Sequence, residues 1–162
     1  MKKKLWIIIL LALIVFLFLV VKFDKIKDVN LVQKKVNGEL TVNRVIDGDT
    51  IEVVINNKKE SVRLIGIDAP ELTDSSMKGK LAIESRDYLK KLIQNKKIRL
   101  EADETQEDRD NYQRLLRYVY LDDGTLVNKK MIEAGMAEEY TYKTPYKFQW
   151  EFREVGKRMF FK

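Results

Sequence analysis

The stretch from Val45 to Glu71 constrains this chain more than any other. Val45-Ile46-Asp47-Gly48-Asp49-Thr50 leads into a short β-branched run, Asn56-Asn57 turns the chain, and Val62-Arg63-Leu64-Ile65-Gly66-Ile67-Asp68-Ala69-Pro70-Glu71 returns. Two such runs joined by a polar pair read as a hairpin. It places four carboxylates, Asp47, Asp49, Asp68 and Glu71, and one arginine at the ends of neighbouring strands. Taken singly, each acid fits a turn or a solvated strand exit, since Asp-Gly is a common turn pair. Arg63 resists that reading. It lies among aliphatic residues, where a charge is costly unless something pairs with it or uses it.

Asp49 and Asp68 supply hard oxygen ligands, and Glu71 follows a proline that stiffens its approach. Carboxylates and carbonyls suit calcium, magnesium or manganese, and do not suit zinc or copper. A cation facing an arginine points to phosphate chemistry, because both neutralise charge on phosphoryl oxygens. Strict alternation along a strand sends Arg63 and Asp68 to opposite faces. The strand must therefore bend or bulge near Gly66 if both serve one site.

Two absences narrow the chemistry. The chain has no cysteine, so disulfides and thiolate metal sites are excluded. It also has no histidine, which removes histidine–metal nucleases, histidine acid–base pairs and His-containing triads. A general base must then be a carboxylate, lysine or tyrosine, and Glu71 is the best candidate. Net charge argues less than it first suggests. The whole chain carries +6, yet residues 1–37 hold eight Lys or Arg against two Asp or Glu, and residues 38–162 hold 23 of each sign. Phosphate attraction in the folded part must come from local patches.

Lys2, Lys3 and Lys4 precede an unbroken apolar run from Leu5 to Val21, 17 residues long. That is near the lower limit for a helix spanning a bilayer. A cleaved signal peptide shares the charged start, but its apolar region is usually shorter and ends in small residues, whereas this run ends Phe18-Leu19-Val20-Val21. Residues 1–21 are expected to be an uncleaved signal anchor. The positive-inside rule then puts the rest of the chain outside the cell as a single-pass membrane protein, or secreted if the segment is cleaved. Residues 22–37 read as a basic linker, suited either to anionic headgroups or to a solvated spacer. Residues 38–162 form the folded domain.

Within that domain, Leu40–Ile46, Thr50–Ile55 and Ser61–Ile67 read as a three-strand meander. From Lys80 to Asn95 the period turns helical, through Leu81, Tyr88, Leu89, Leu92 and Ile93. Lys97–Ala102 and Leu115–Leu121 are a fourth and fifth strand. Leu126–Ala134 is a helix that Gly135 can close, and Phe148–Lys162 a last helix carrying Trp150, Phe152 and Val155. The fold class is α+β, mostly β: a five-stranded OB-fold barrel with flanking helices, preceded by the N-terminal transmembrane helix. The acids from Glu101 to Asp110 read as a solvated loop, with a second metal site as the alternative. Arg114 comes directly after that loop and either meets a bound phosphate with Arg63 or pairs with a nearby acid. Tyr140 and Tyr142, spaced by two and flanked by polar residues, lie on one side of an extended segment where aromatic rings stack on bases; core packing is the alternative.

The Asp-Gly-Asp-Thr block followed by Arg-Leu-Ile-Gly-Ile-Asp-Ala-Pro-Glu resembles the signature of the staphylococcal nuclease (thermonuclease-like) family. Asp110-Asn111-Tyr112-Gln113-Arg114-Leu115-Leu116-Arg117-Tyr118-Val119-Tyr120 resembles that family's second signature. Leu126-Val127-Asn128 to Gly135-Met136-Ala137 resembles the family's next segment along the chain. The likeness covers roughly residues 40–145, and its two blocks are far more specific than a lone phosphate-loop pattern. It implies the same OB fold. It also implies a calcium-dependent phosphodiesterase acting on DNA and RNA and releasing products with a 3′-phosphate. Arg63, Glu71 and Arg114 fall on the family's catalytic residues; Asp49, Asp68 and the backbone carbonyl of Ala69 fall on its calcium ligands. Tyr140 and Tyr142 match a substrate-side tyrosine pair once a one-residue deletion is allowed after Ala137.

The sequence departs from the family at Gln113, where glycine is usual, and at Asn111, where some members carry a lysine. The segment after Phe148 is also shorter than the likeness implies. The expected function is a membrane-tethered nuclease, acting as a monomer on nucleic acid outside the cell. The alternatives are a non-catalytic nucleic-acid-binding OB module, which the intact Arg63, Glu71 and Arg114 argue against, and a surface adhesion or scaffold protein.

Overall fold

The computed structural model describes residues 11–22, 39–71 and 77–160. The chain divides into two units, residues 1–35 and 36–162. In the first, residues 11–22 form an exposed helix, α1. At 1.5 Å per residue it is about 18 Å long, against about 30 Å of bilayer hydrocarbon. The remainder of the expected span, residues 1–10, lies outside the described residues. Among the described residues no helix is long and apolar enough to cross a membrane. Residues 23–37 of the expected linker also lie outside them.

The second unit is built on a closed five-stranded barrel. Its strands are β1 (Leu40–Val45), β2 (Thr50–Ile55), β3 (Lys58–Leu64), β5 (Lys97–Glu101) and β6 (Leu115–Leu121), in the spatial order β1-β2-β3-β6-β5. Only β3 and β6 run parallel. Alternation sends Ile51, Val53, Val62, Ile98, Leu100, Leu115 and Val119 inward, all fully buried. The Asn56-Asn57 turn has both residues left-handed, φ +54° and +63°, the primed geometry that matches strand twist. Pairing therefore starts at once, with Ile55 opposite Lys58, so β3 begins three residues earlier than expected. It also stops earlier, at Leu64, for a reason that matters to the site.

Three helices cover the barrel. α2 (Met77–Ile93) buries Ala82, Ser85, Leu89 and Ile93, a stripe of helical period. Leu81, expected on that stripe, is 49% exposed. α3 (Val127–Glu133) ends where Gly135 turns left-handed, and Gly135 N–H bonds back to the Ile132 carbonyl, the closure expected there. Its buried Asn128 accepts from Val119 N–H at 2.9 Å and donates to the Ile65 carbonyl at 2.9 Å, tying helix to barrel. α4 (Gln149–Phe160) buries Phe152 and Val155 and leaves Trp150 75% exposed. A two-residue ladder, β4 (Ile67–Asp68) against β7 (Glu138–Glu139), completes the unit; sequence pattern gave no sign of it.

Candidate active site

The bend demanded by strand alternation is present. β3 ends at Leu64, Gly66 takes φ +79°, and β4 starts at Ile67. Arg63 and Asp68 are thereby brought together, Nη2 to Oδ1 at 2.7 Å. Nη1 donates to the carbonyls of Ile67 at 2.7 Å and Leu64 at 3.3 Å, one on each side of the turn. It also pairs with Asp49 Oδ2 at 3.0 Å. The arginine that sequence left without a partner is held by two carboxylates and two carbonyls.

Asp49 arrives on the loop between β1 and β2, where its own N–H donates to Asp47 Oδ1 at 3.0 Å. Next to it Gly48 lies flat against α2: a Cβ there would sit 1.9 Å from Ser85 Oγ. Asp49 is 6% exposed. It accepts from Thr50 Oγ1 at 2.9 Å and from Ala69 N–H at 2.8 Å. Burial pushes its carboxyl up to about 6; the charge of Arg63 opposes this and that of Asp47 reinforces it. The group is thus short of positive charge, which a cation beside it would supply. Asp49 and Asp68, both on Arg63 here and next in the cleft to Ala69, are hard-oxygen donors of the kind calcium takes. The donors fit. Among the described residues no group of three or more acids gathers as a metal cluster.

Arg114 opens β6 from a turn in which Gln113 is left-handed, φ +65°. That conformation explains why glycine suits the position, and Gln113 adopts it nonetheless. Asp110 braces the arginine twice, accepting from its backbone N–H at 2.9 Å and its Nε at 2.7 Å. Burial works to raise the Asp110 carboxyl, but these bonds and one from the Tyr112 N–H outweigh it and hold the carboxyl below the usual range. Arg114 Nη1 reaches Thr50 Oγ1 at 3.3 Å, and its guanidinium lies 5.4 Å from the Tyr112 ring centre. Thr50 therefore links Arg114 to Asp49. Nothing in the sequence singled out Thr50 beyond its place in the Asp-Gly-Asp-Thr block. The two readings of Arg114 meet: it pairs with an acid and it faces the cleft.

All eight residues expected at the site, Asp49, Arg63, Asp68, Ala69, Glu71, Arg114, Tyr140 and Tyr142, line one cleft of about 530 Å³. Glu71 is exposed at it, just beyond Pro70. Tyr140 and Tyr142 are 44% and 65% exposed with ring centres 6.5 Å apart, so core packing does not account for them. Lys143 Nζ stands 5.0 Å from the Tyr142 ring centre.

The acidic run from Glu101 to Asp110 is a solvated loop in part, with Glu104, Glu107 and Asp108 exposed, but some of its acids are tied down, and its described residues do not gather a metal site. Asp103 is 6% exposed and accepts from Tyr118 Oη at 2.6 Å and Lys147 N–H at 2.8 Å. Asp108 pairs with buried Arg117 at 2.5 Å. With Asp110 on Arg114, three of these acids fasten one wall of the cleft. The Arg114 partner of Asp110 is near in sequence and was one of the two readings, whereas the partners of Asp103, Tyr118 and Lys147, are distant and charge density alone did not reveal them.

Comparison with known proteins agrees with this geometry. A family described as "Staphylococcal nuclease homologue" matches residues 61–158. "Thermonuclease" of Staphylococcus hyicus is 38% identical over 119 residues, covering 71% of this chain and 67% of that protein. "Endonuclease YncB" of Bacillus subtilis (strain 168) is 37% identical over 123 residues, 75% of this chain and 57% of that protein. "Thermonuclease" of Staphylococcus intermedius is 41% identical over 112 residues, 66% of this chain and 63% of that protein. The chain thus spans between 57% and 67% of the length of these relatives.

Proposed function

Because the chain belongs to the family of staphylococcal nuclease homologues, we propose that its barrel domain is a calcium-dependent nuclease, a hydrolase that cleaves DNA and RNA to products with 3′-phosphate ends. The observation that carries this reading is the convergence of Arg63, Arg114, Glu71, the Asp49–Asp68 pair and two exposed tyrosines on one cleft.

Asp49, Asp68 and the Ala69 carbonyl would hold calcium, which when bound supplies Lewis-acid polarisation of a phosphoryl oxygen. The remaining work falls to the chain's own side chains. Arg63 and Arg114 bind non-bridging phosphate oxygens with planar forks that lysine cannot reproduce, and hold charge as it builds there. A guanidinium has five N–H donors, so the four described contacts of Arg63 leave capacity for a phosphate. Glu71 takes a proton from water as its oxygen forms a bond to phosphorus. The bond from phosphorus to the 5′ oxygen breaks, solvent protonates that oxygen, and phosphate stays on the 3′ side. Tyr140 and Tyr142 present faces on which unpaired bases stack.

The expected setting belongs to the same proposal: residues 1–21 anchor a monomer in the cell membrane with the domain outside. The lysine-flanked apolar run supports it, and protease added to intact cells would have to remove the domain. The decisive variant for the chemistry is Glu71→Gln. Hydrolysis should fall about a thousandfold or more while single-stranded DNA still binds. Unchanged turnover would remove Glu71 as the base, and binding without turnover in the unsubstituted chain would favour the non-catalytic OB module.

A further inference from the structure

The cleft has two halves, which come from distant segments. One is the Gly66 turn with Arg63 and Asp68; the other is the exposed ledge of Tyr140 and Tyr142. Beside the β4–β7 ladder, they meet at the Gly66 carbonyl. The Gly66 carbonyl accepts from Tyr140 N–H at 3.0 Å and from Tyr146 Oη at 3.2 Å, so both its lone pairs are used. The ring of Tyr146, 6% exposed, presses on the same residue: a Cβ on Gly66 would come 2.5 Å from Cε2. The ring is backed in turn by Phe152 of α4, centre to centre 5.7 Å.

The hydroxyl has one proton and faces two acceptors, since Glu139 Oε1 lies 3.0 Å away. Glu139 is itself fixed, by Thr141 Oγ1 at 2.6 Å and Arg153 Nε at 3.3 Å. Thr141 stands between the two ledge tyrosines, and Glu139 is the ladder partner of Ile67, whose carbonyl binds Arg63.

We propose that Tyr146, held by Glu139, is a positioning residue that locks the arginine-bearing turn and the tyrosine ledge into one register. This rests on the hydrolytic reading given above. Removing the hydroxyl leaves the ring and the barrel in place but frees one contact on the Gly66 carbonyl. The turn that aims Arg63 and the strand that carries Tyr140 are then joined by the Tyr140 N–H bond and the short β4–β7 ladder alone, and their register loosens.

The test uses Tyr146→Phe in the full chain, with detergent present to keep the apolar N-terminal run in solution. The first readout is amide exchange, which does not depend on turnover. The Tyr140 N–H should exchange about tenfold faster or more, while Val53 N–H in the barrel is unchanged. The second is a split of kinetic constants. On single-stranded DNA, KM should rise and kcat fall, each several-fold; on an abasic strand, which offers no bases to the ledge, only kcat should fall. General loosening would shift both substrates alike. Glu139→Gln alone, which keeps an acceptor for the Tyr146 hydroxyl, should retain most of the exchange protection. Unaltered Tyr140 exchange overturns the proposal even if the unsubstituted chain proves inactive. Altered exchange with an inactive unsubstituted chain upholds the positioning and removes the hydrolytic reading instead.

Discussion

The two arginines of the cleft are mounted differently. Arg63 is 13% exposed and its guanidinium bridges Asp49 and Asp68 while gripping carbonyls on both sides of the Gly66 turn. Arg114 is 28% exposed, braced by one carboxylate and touching one hydroxyl. The first is part of the architecture; the second hangs from a turn at the rim. A buried ion pair broken on one side leaves an uncompensated charge, whereas a half-exposed pair is screened by solvent. The same functional group should therefore have unequal consequences for folding while both are needed for activity.

Substituting each arginine by lysine breaks that comparison most sharply. Arg63→Lys should lower cleavage by about a thousandfold or more, and should destabilise the chain by about 2 kcal/mol, because one ammonium cannot span the two carboxylates and two carbonyls that the guanidinium holds. Arg114→Lys should lower cleavage by about a hundredfold or more and shift stability by less than about 1 kcal/mol. Initial rates and chemical denaturation read both quantities. Equal stability losses would mean the two mounts are not different in kind.

The electrostatics of Asp49 give the next largest effect. Its carboxyl sits at about 6 in the fold, above an unfolded value near 3.8. The folded state therefore keeps a proton that the unfolded state gives up. Stability from this group is full below the unfolded value and is lost as pH rises through about 6, on the order of 3 kcal/mol. In chelator, the difference in unfolding free energy between the unsubstituted chain and Asp49→Asn should change in that direction between pH 4 and 7. Calcium at pH 7 should stabilise the former and leave the variant unmoved. A difference that is flat with pH would show that Arg63 already satisfies the buried carboxylate.

The smallest effect sharpens the view of the second mount. Gln113→Gly should stabilise by up to about 1 kcal/mol, relieving a left-handed side chain, with cleavage altered less than twofold. A large change in rate would mean that the Gln113 turn itself aims Arg114.

Sequence carried the local parts of the fold and missed the parts made by tertiary contact. The β-branched runs, the Asn56-Asn57 turn and the Gly135 helix end each arise from residues close together in the chain. The Gly66 bend was legible for a different reason: chemistry required Arg63 and Asp68 on one side, and only a break in alternation provides that. The β4–β7 ladder was not legible, because Glu138-Glu139 has no strand pattern and pairs only since the turn brings Ile67 and Asp68 alongside. Likewise α2 buries Ala82 and Ser85, not Leu81, and at Ser85 the Gly48 loop approaches too closely for a larger side chain. The anchoring roles of Asp103, Asp108 and Asp110 depend on Tyr118, Arg117 and Arg114, whose positions only the fold defines.

Hydrolysis of phosphodiesters with calcium in this cleft is most directly measured by incubating the chain with single-stranded DNA and RNA in calcium, in magnesium and in chelator, and identifying the product ends. Cleavage is expected in calcium alone, with phosphate on the 3′ ends. Binding without cleavage by folded protein, or cleavage undiminished in chelator, would contradict the assignment of the site.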